Sequence, residues 1–83
     1  MSKRLADVRP RGDEIVRRRT ELGWSAPQLA RKIHRGRSTI HHIEAGRRTT
    51  AVTIHQIARA LGCQAGEISD WGAAQPDEET AAA

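Results

Sequence analysis

The side chains best suited to chemistry are concentrated in one short stretch, Arg37–Ala45. A helix turns by about 100° per residue, so four polar residues of this stretch share one face, while its two isoleucines and Thr39 lie on the other. The four polar residues are Arg37, Ser38, His41 and His42. Guanidinium, hydroxyl and imidazole groups hydrogen bond to base edges in the DNA major groove. The stretch therefore predicts a helix that reads bases; the alternative is an ordinary solvent-facing surface.

The same residues disfavour catalysis and metal binding. Adjacent side chains such as His41 and His42 point about 100° apart, so they cannot form the i, i+4 pair that many metal sites use. The other candidate ligands, His34, His55 and Cys63, are scattered along the chain. No spacing places a nucleophile, a base and an orienting group together, and no glycine-rich phosphate loop is present. We expect no enzyme activity, no metal and no cofactor.

Charge is distributed unevenly along the chain. All 14 Lys and Arg residues, but only seven of the ten acids, lie in residues 1–71, which gives this part +7 and leaves −3 for residues 72–83. Twelve of the 14 bases are Arg, the residue that binds phosphate and guanine best. A basic domain is typical of a polyanion binder, although charges can also simply solvate a helical surface. We divide the chain into a flexible basic arm (1–9), a domain (10–71) and a flexible acidic tail (72–83).

Composition limits the fold and the compartment. The chain has 83 residues with two Trp and no Tyr or Phe, so its core must consist of small aliphatic side chains, which favours an all-α fold of one domain. A single cysteine excludes a disulfide framework. No stretch is apolar enough to span a bilayer. We expect a cytoplasmic protein.

Five helices are predicted from apolar periodicity and from start and stop signals. The first covers Arg11–Leu22, the third Arg37–Ala45 and the fifth Ala65–Trp71. The second begins with a capping box of Ser25 and Gln28. The fourth is capped by Thr49 or Thr50 and ends at Gly62. Only three residues (34–36) join the second and third helices, which is the arrangement of a helix-turn-helix motif.

Within this arrangement, five short motifs resemble a known family. They are Gly23-Trp24-Ser25, Leu29-Ala30, Ser38-Thr39-Ile40, Ile43-Glu44-Ala45-Gly46-Arg47 and Ile57-Ala58-Arg59-Ala60-Leu61-Gly62. Together they resemble the Cro/repressor-type (XRE-type) helix-turn-helix family over about residues 12–71. The resemblance implies a compact five-helix domain that acts as a transcriptional regulator. It also implies a homodimer on an inverted-repeat DNA operator.

The resemblance also implies roles for individual residues. The base-reading positions of the family fall on Arg37, Ser38, His41 and His42. Its phosphate-binding positions include the loop after the third helix, and we assign this role to Gln28, Arg35, Arg47 and Arg48. An inward ion pair between the first and third helices falls on Arg19 and Glu44.

The turn between the second and third helices departs from the family pattern. His34 stands where the family usually has Gly, Arg35 replaces an apolar residue, and Gly36 replaces Ser or Thr. His can adopt the left-handed conformation with some strain, and Gly is an acceptable N-cap. The tilt of the third helix depends on this turn.

Two further questions stay open at the level of sequence. Ile68 and Trp71 either close the core or form the seam of a homodimer. The protein is either a regulator in its own right or an antitoxin-like module that binds its own promoter and, through the acidic tail, a protein partner.

Overall fold

Four α-helices follow one another in the computed structural model, which describes residues 8–72. Their bounds are Gly12–Glu21 (α1), Ala26–Lys32 (α2), Arg37–Glu44 (α3) and Ala51–Leu61 (α4). A 3-10 turn, Ala65–Glu67, follows, and residues 8–72 contain no β-strand. The all-α prediction is confirmed for these residues, and none of their helices has the length and apolar character needed to cross a bilayer.

The predicted fifth helix is wrong. Only Ala65–Glu67 is helical, as a single 3-10 turn. After it, the main-chain groups of Ile68 and Asp70 bond to the segment before α1: the N–H of Arg11 donates to the carbonyl oxygen of Ile68 at 2.8 Å, and the N–H of Asp70 donates to that of Arg9 at 3.0 Å. The bond from Asp70 replaces the i to i−4 bond to Gly66 that a helix through Trp71 would need.

Val8 and Arg9, which the sequence assigns to the predicted arm, bond to the domain. Val8 is 3% exposed and forms an isolated antiparallel bridge with Thr49. Its N–H donates to the carbonyl oxygen of Thr49 at 2.8 Å, and its carbonyl oxygen accepts the N–H of Thr49 at 2.9 Å. Residues 1–7 of the predicted arm, and residues 73–83 of the predicted tail, lie outside the described residues.

Local signals place the starts of α2 and α4 as predicted. Ser25 and Gln28 form a reciprocal capping box: the N–H of Gln28 donates to Ser25 Oγ at 3.2 Å, and the N–H of Ser25 donates to Gln28 Oε1 at 2.8 Å. Thr50 caps α4 by accepting the N–H of Thr53 at 3.3 Å. Each cap satisfies main-chain donors that the first turn of a helix leaves without a partner.

The core is aliphatic and lies where the helices converge. Most of the aliphatic side chains that recur at helical spacing are buried. They are Ile15, Leu29, Ala30, Ile33, Ile40, Ile43, Ile54, Ile57 and Ala58. Leu22, which helical periodicity places on the inward stripe of the first helix, is instead 48% exposed. Because α1 ends at Glu21, Leu22 belongs to the turn rather than to the helix face.

One backbone contact fixes the distance between α1 and α3. Gly12 is buried in the first turn of α1, and a Cβ atom at this position would lie 2.0 Å from the carbonyl oxygen of Glu44. Only glycine permits that approach, since the obstacle is backbone and cannot rotate away. The end of α3 therefore rests directly on the start of α1.

Candidate nucleic-acid interface

The third helix has one buried and one exposed face. Ile40 and Ile43 are 0% and 1% exposed, and they anchor α3 to the core. The predicted base-reading residues point the other way: Arg37, Ser38, His41 and His42 are all exposed. Within residues 8–72 no side-chain hydrogen bond or ion pair engages these four residues. The structure thus places them on a common surface with polar groups available to a ligand.

The turn before α3 takes the geometry that the family usually builds with glycine. His34 has φ of 57°, in the left-handed region that costs a non-glycine residue about 1–2 kcal/mol. The N–H of Arg35 then donates to the carbonyl oxygen of Ala30 at 2.9 Å, which closes the end of α2. Gly36 is the N-cap of α3 and contributes no side-chain hydrogen bond.

Arg19 and Glu44 join α1 to α3 through a two-point contact. Arg19 Nε donates to Glu44 Oε2 at 2.6 Å, and a second guanidinium nitrogen donates to Oε1 at 3.2 Å. A third donates to the carbonyl oxygen of Trp24 at 3.1 Å. The side chains of the pair are 16% and 12% exposed, and the hydrogen bonds to Glu44 raise the pKa of Arg19. The contact fixes the orientation of α3 from its inner side.

Gln28 and Arg35, two of the residues assigned to phosphate, also have partners within the protein. Gln28 is exposed, and its carbonyl oxygen accepts the capping-box hydrogen bond, so its amide NH₂ is the group left as a donor. Arg35 is exposed, and its Nε donates to Gln56 Oε1 at 3.3 Å. That bond uses one of the five guanidinium N–H donors.

Arg47 and Arg48 lie in the loop between α3 and α4, and both are exposed. The loop leaves α3 through two main-chain bonds of 3.0 Å: Gly46 donates to Ile43, and Arg47 donates to His42. It then reaches Thr49, which the bridge to Val8 holds. The two arginines thus lie between two fixed points of the backbone.

Two cations on α2 were not predicted from the sequence. Arg31 and Lys32 are exposed, and they line a shallow depression with Gln28 and Trp24. Lys32 Nζ lies 4.5 Å from the centroid of the Trp24 ring, a cation–π contact. The spacing of positions 28, 31 and 32 is the signal that was available, because residues three and four apart share a helix face.

Ile68 and Trp71, the two candidates for a dimer seam, differ in how deeply they are buried. Ile68 is 0% exposed within one chain, so of the two alternatives given for it, the structure favours closure of the core. Trp71 is half-buried, and its ring meets that of His55 edge to face at 5.1 Å between centroids. With Val52, which is 61% exposed, Trp71 lines a groove along α4.

A second ionic cluster lies on α1. The carboxylate of Glu14 accepts hydrogen bonds from Arg17 and from Arg18, the latter at 2.7 Å. These bonds, with Arg17 first, lower the pKa of Glu14 from 4.5 to about 2. Arg18 also donates to Glu67 at 3.0 Å and so connects α1 with the 3-10 turn. Sequence alone suggests no such role for Arg18, which stands where the family usually has an apolar residue.

Metal-binding side chains are dispersed in the described part of the chain. Residues 8–72 hold no group of three or more His, Cys, Asp or Glu side chains that could bind a metal ion. Cys63 is half-buried, and burial raises the pKa of its thiol. A protonated, packed thiol is a structural residue rather than a reactive one.

Comparison with known proteins identifies the fold family. A helix-turn-helix domain family matches residues 12–71, which include all four helices and the 3-10 turn. No curated protein and no solved structure matches the chain. The match covers most of the 83 residues. The chain therefore belongs to a family of XRE-like helix-turn-helix DNA-binding domains.

Proposed function

We propose that this protein is a sequence-specific transcriptional regulator that places α3 in the major groove of DNA. Membership in a DNA-binding family indicates the ligand. The observation that carries the finer proposal is the division of α3 into two faces: Ile40 and Ile43 are buried, and the polar face is exposed. A helix anchored in this way can present its outer side chains to base edges at a fixed angle.

The exposed side chains divide by the chemistry they offer. Arg37 begins α3, and its guanidinium can donate two parallel hydrogen bonds to O6 and N7 of guanine. Ser38, His41 and His42 offer shorter donors and acceptors. Ala45, which is also exposed, suits the methyl group of thymine. We assign the reading of bases to these residues.

A separate set of residues grips the backbone of the DNA. Arg47 and Arg48 follow the end of α3, where a loop reaches phosphate rather than bases. Gln28 in the first turn of α2 and Arg35 in the turn after it fit the same role, because the first helix of the motif crosses the sugar–phosphate backbone. Arg31 and Lys32 add charge on the same helix. These contacts give affinity without sequence preference.

We further propose that two copies bind one operator. A second copy doubles the number of base contacts and calls for an operator with two-fold symmetry. The groove along α4 beside Val52 and Trp71 is the exposed apolar surface that supports this assignment, since apolar patches mark interaction sites. Ile68, which is buried in the core, does not contribute to it.

Selection of bound duplexes from a random pool tests the proposal. The selected DNA should contain a near-palindrome whose half-sites lie about 34 Å apart, which is one turn of the double helix. Sedimentation of the complex should give two chains for each duplex. Retention of DNA without enrichment of any sequence would contradict specific recognition, and one chain on a single, non-repeated site would contradict the dimer.

A further inference from the structure

The segment before α1 contacts two parts of the domain that are far away in sequence. Residues 8–11 precede the range matched by the family. They run in an extended conformation, with Val8 and Pro10 buried and Arg9 exposed, as expected for a chain whose side chains alternate between two sides. We call residues 8–11 the N-terminal clamp.

One end of the clamp binds the loop after α3. The N–H of Val8 donates to the carbonyl oxygen of Thr49 at 2.8 Å, and the N–H of Thr49 donates back at 2.9 Å. The side chain of Val8 is 3% exposed and belongs to the hydrophobic core. Main-chain bonds set the position of Thr49, and burial of Val8 stabilises it.

The other end of the clamp binds the segment after the 3-10 turn. The N–H of Arg11 donates to the carbonyl oxygen of Ile68 at 2.8 Å, and the N–H of Asp70 donates to that of Arg9 at 3.0 Å. The side chain of Asp70 accepts the N–H of Arg9 at 3.0 Å. Because Ile68 is 0% exposed, this end is anchored to the core.

The clamp thus restrains the loop that carries the arginines. Two main-chain bonds hold the loop at its α3 end, and Thr50 caps α4 at its other end. Arg47 and Arg48 lie between these points, immediately before Thr49. The bridge to Val8 adds a restraint on the loop beyond those from the two helices that it joins.

We propose that Val8 is a positioning residue for DNA binding: through Thr49 it holds the backbone of Arg47 and Arg48 where both side chains meet phosphate. This inference rests on the proposed function. Val8 contacts no DNA itself, and its effect passes through the loop. A contact that is restrained before binding loses less conformational freedom when the complex forms.

A double-mutant cycle tests the positioning role. Val8→Ala should weaken binding to a random-sequence duplex roughly threefold to tenfold, with a lower dependence on salt, because the two arginines then hold phosphate less firmly. In a chain that already carries Arg47→Ala and Arg48→Ala, the same change should alter affinity less than about twofold, since no arginine remains to be positioned. Exchange of the Thr49 amide hydrogen should become faster in the Val8 variant.

Val16→Ala is the matched control. It removes the same two methyl groups from a half-buried position on α1, away from the clamp, and should leave DNA affinity unchanged in both backgrounds. Should Val8→Ala prevent folding, Val8→Thr keeps the side-chain shape and the main-chain bonds and should show the same pattern with a smaller effect.

The outcomes test the clamp separately from the proposed function on which it rests. Equal effects of Val8→Ala in both backgrounds would overturn the positioning role, because they would show a general loss of stability. Unchanged DNA binding after replacement of both Arg47 and Arg48 would instead contradict the phosphate contacts of the proposed function. A smaller effect of Val8→Ala in the Arg47→Ala, Arg48→Ala background, with faster exchange of the Thr49 amide hydrogen, supports the clamp.

Discussion

The two faces of α3 differ in how firmly the rest of the domain holds them. On the inner face, Ile40 and Ile43 are buried, Glu44 forms two hydrogen bonds with Arg19, and the backbone rests on Gly12. On the outer face, within residues 8–72, no side-chain hydrogen bond engages Arg37. The difference indicates a division of labour: inner residues determine where the helix lies, and outer residues determine what it binds.

The largest expected effect is at the contact between Gly12 and Glu44. Gly12→Ala would place a methyl group against a backbone carbonyl and force α1 away from α3, at a cost of about 3 kcal/mol. A domain of this size has only about 3–5 kcal/mol in total, so thermal unfolding should show a much lower melting temperature. Gly36→Ala is the control: no atom lies within 4 Å of its added Cβ, and the loss should stay below about 1 kcal/mol.

If the Gly12→Ala protein unfolds cooperatively at the melting temperature of the wild type, the inner face of α3 is not held as described above. That result would mean that α3 does not approach α1 as closely as this packing requires.

The ion pair gives the next largest effect. Glu44→Ala leaves Arg19 with only the carbonyl oxygen of Trp24, and we expect a loss of about 2–3 kcal/mol, below the value for a fully buried pair because both side chains keep some exposure. Glu21→Ala, whose side chain is 62% exposed in its contact with Arg17, should cost less than about 1 kcal/mol. Urea unfolding of both variants measures the difference, and equal losses would show that the Arg19–Glu44 pair behaves as a surface pair.

A substitution in the turn before α3 should stabilise the domain instead of destabilising it. His34→Gly relieves the left-handed conformation and should stabilise the domain by about 0.5–1 kcal/mol. His34→Ala keeps the Cβ atom and should give no such gain, which separates backbone strain from loss of the imidazole. Thermal unfolding distinguishes the two variants. A similar gain in both would contradict a strained backbone at this position.

The smallest effect concerns the exposed cluster on α1 and shows as a pH dependence. The folded-state pKa of Glu14 is lowered from 4.5 to about 2, so its contribution to stability is present above pH 4.5 and is lost as the pH falls toward 2. The difference in urea midpoint between wild type and Glu14→Gln should therefore shrink steadily below pH 4.5. A difference that stays constant down to pH 3 would contradict the lowered pKa.

Much of the fold was predictable because its determinants are local. The capping box of Ser25 and Gln28 needs four consecutive residues, and the burial of Ile40 and Ile43 follows from helical periodicity. The outer face of α3 follows from the same periodicity, so the candidate base-reading residues could be placed from sequence. The Arg19–Glu44 pair came from the family resemblance rather than from spacing.

The features that sequence did not reveal depend on contacts between distant residues. Val8 lies between Asp7 and Arg9 in a segment without helical periodicity, yet its partner is Thr49. The helical prediction for Ala65–Trp71 failed because bonds to Arg9 and Arg11 compete with helical ones, and tertiary contacts routinely override weak local propensity. Ile68 looked available to a second copy because sequence cannot tell a core residue from an interface residue.

The central claim, that α3 reads bases while the following loop grips phosphate, is tested most directly by binding isotherms on the selected duplex and on a scrambled one at several salt concentrations. Arg37→Ala should weaken binding to the selected duplex by about 1–3 kcal/mol and leave the scrambled duplex nearly unaffected. The Arg47→Ala, Arg48→Ala variant should weaken both duplexes alike and lower the salt slope by about 1 for each phosphate that the protein no longer binds. An Arg37→Ala protein that keeps the wild-type ratio of the two affinities would contradict the role of α3.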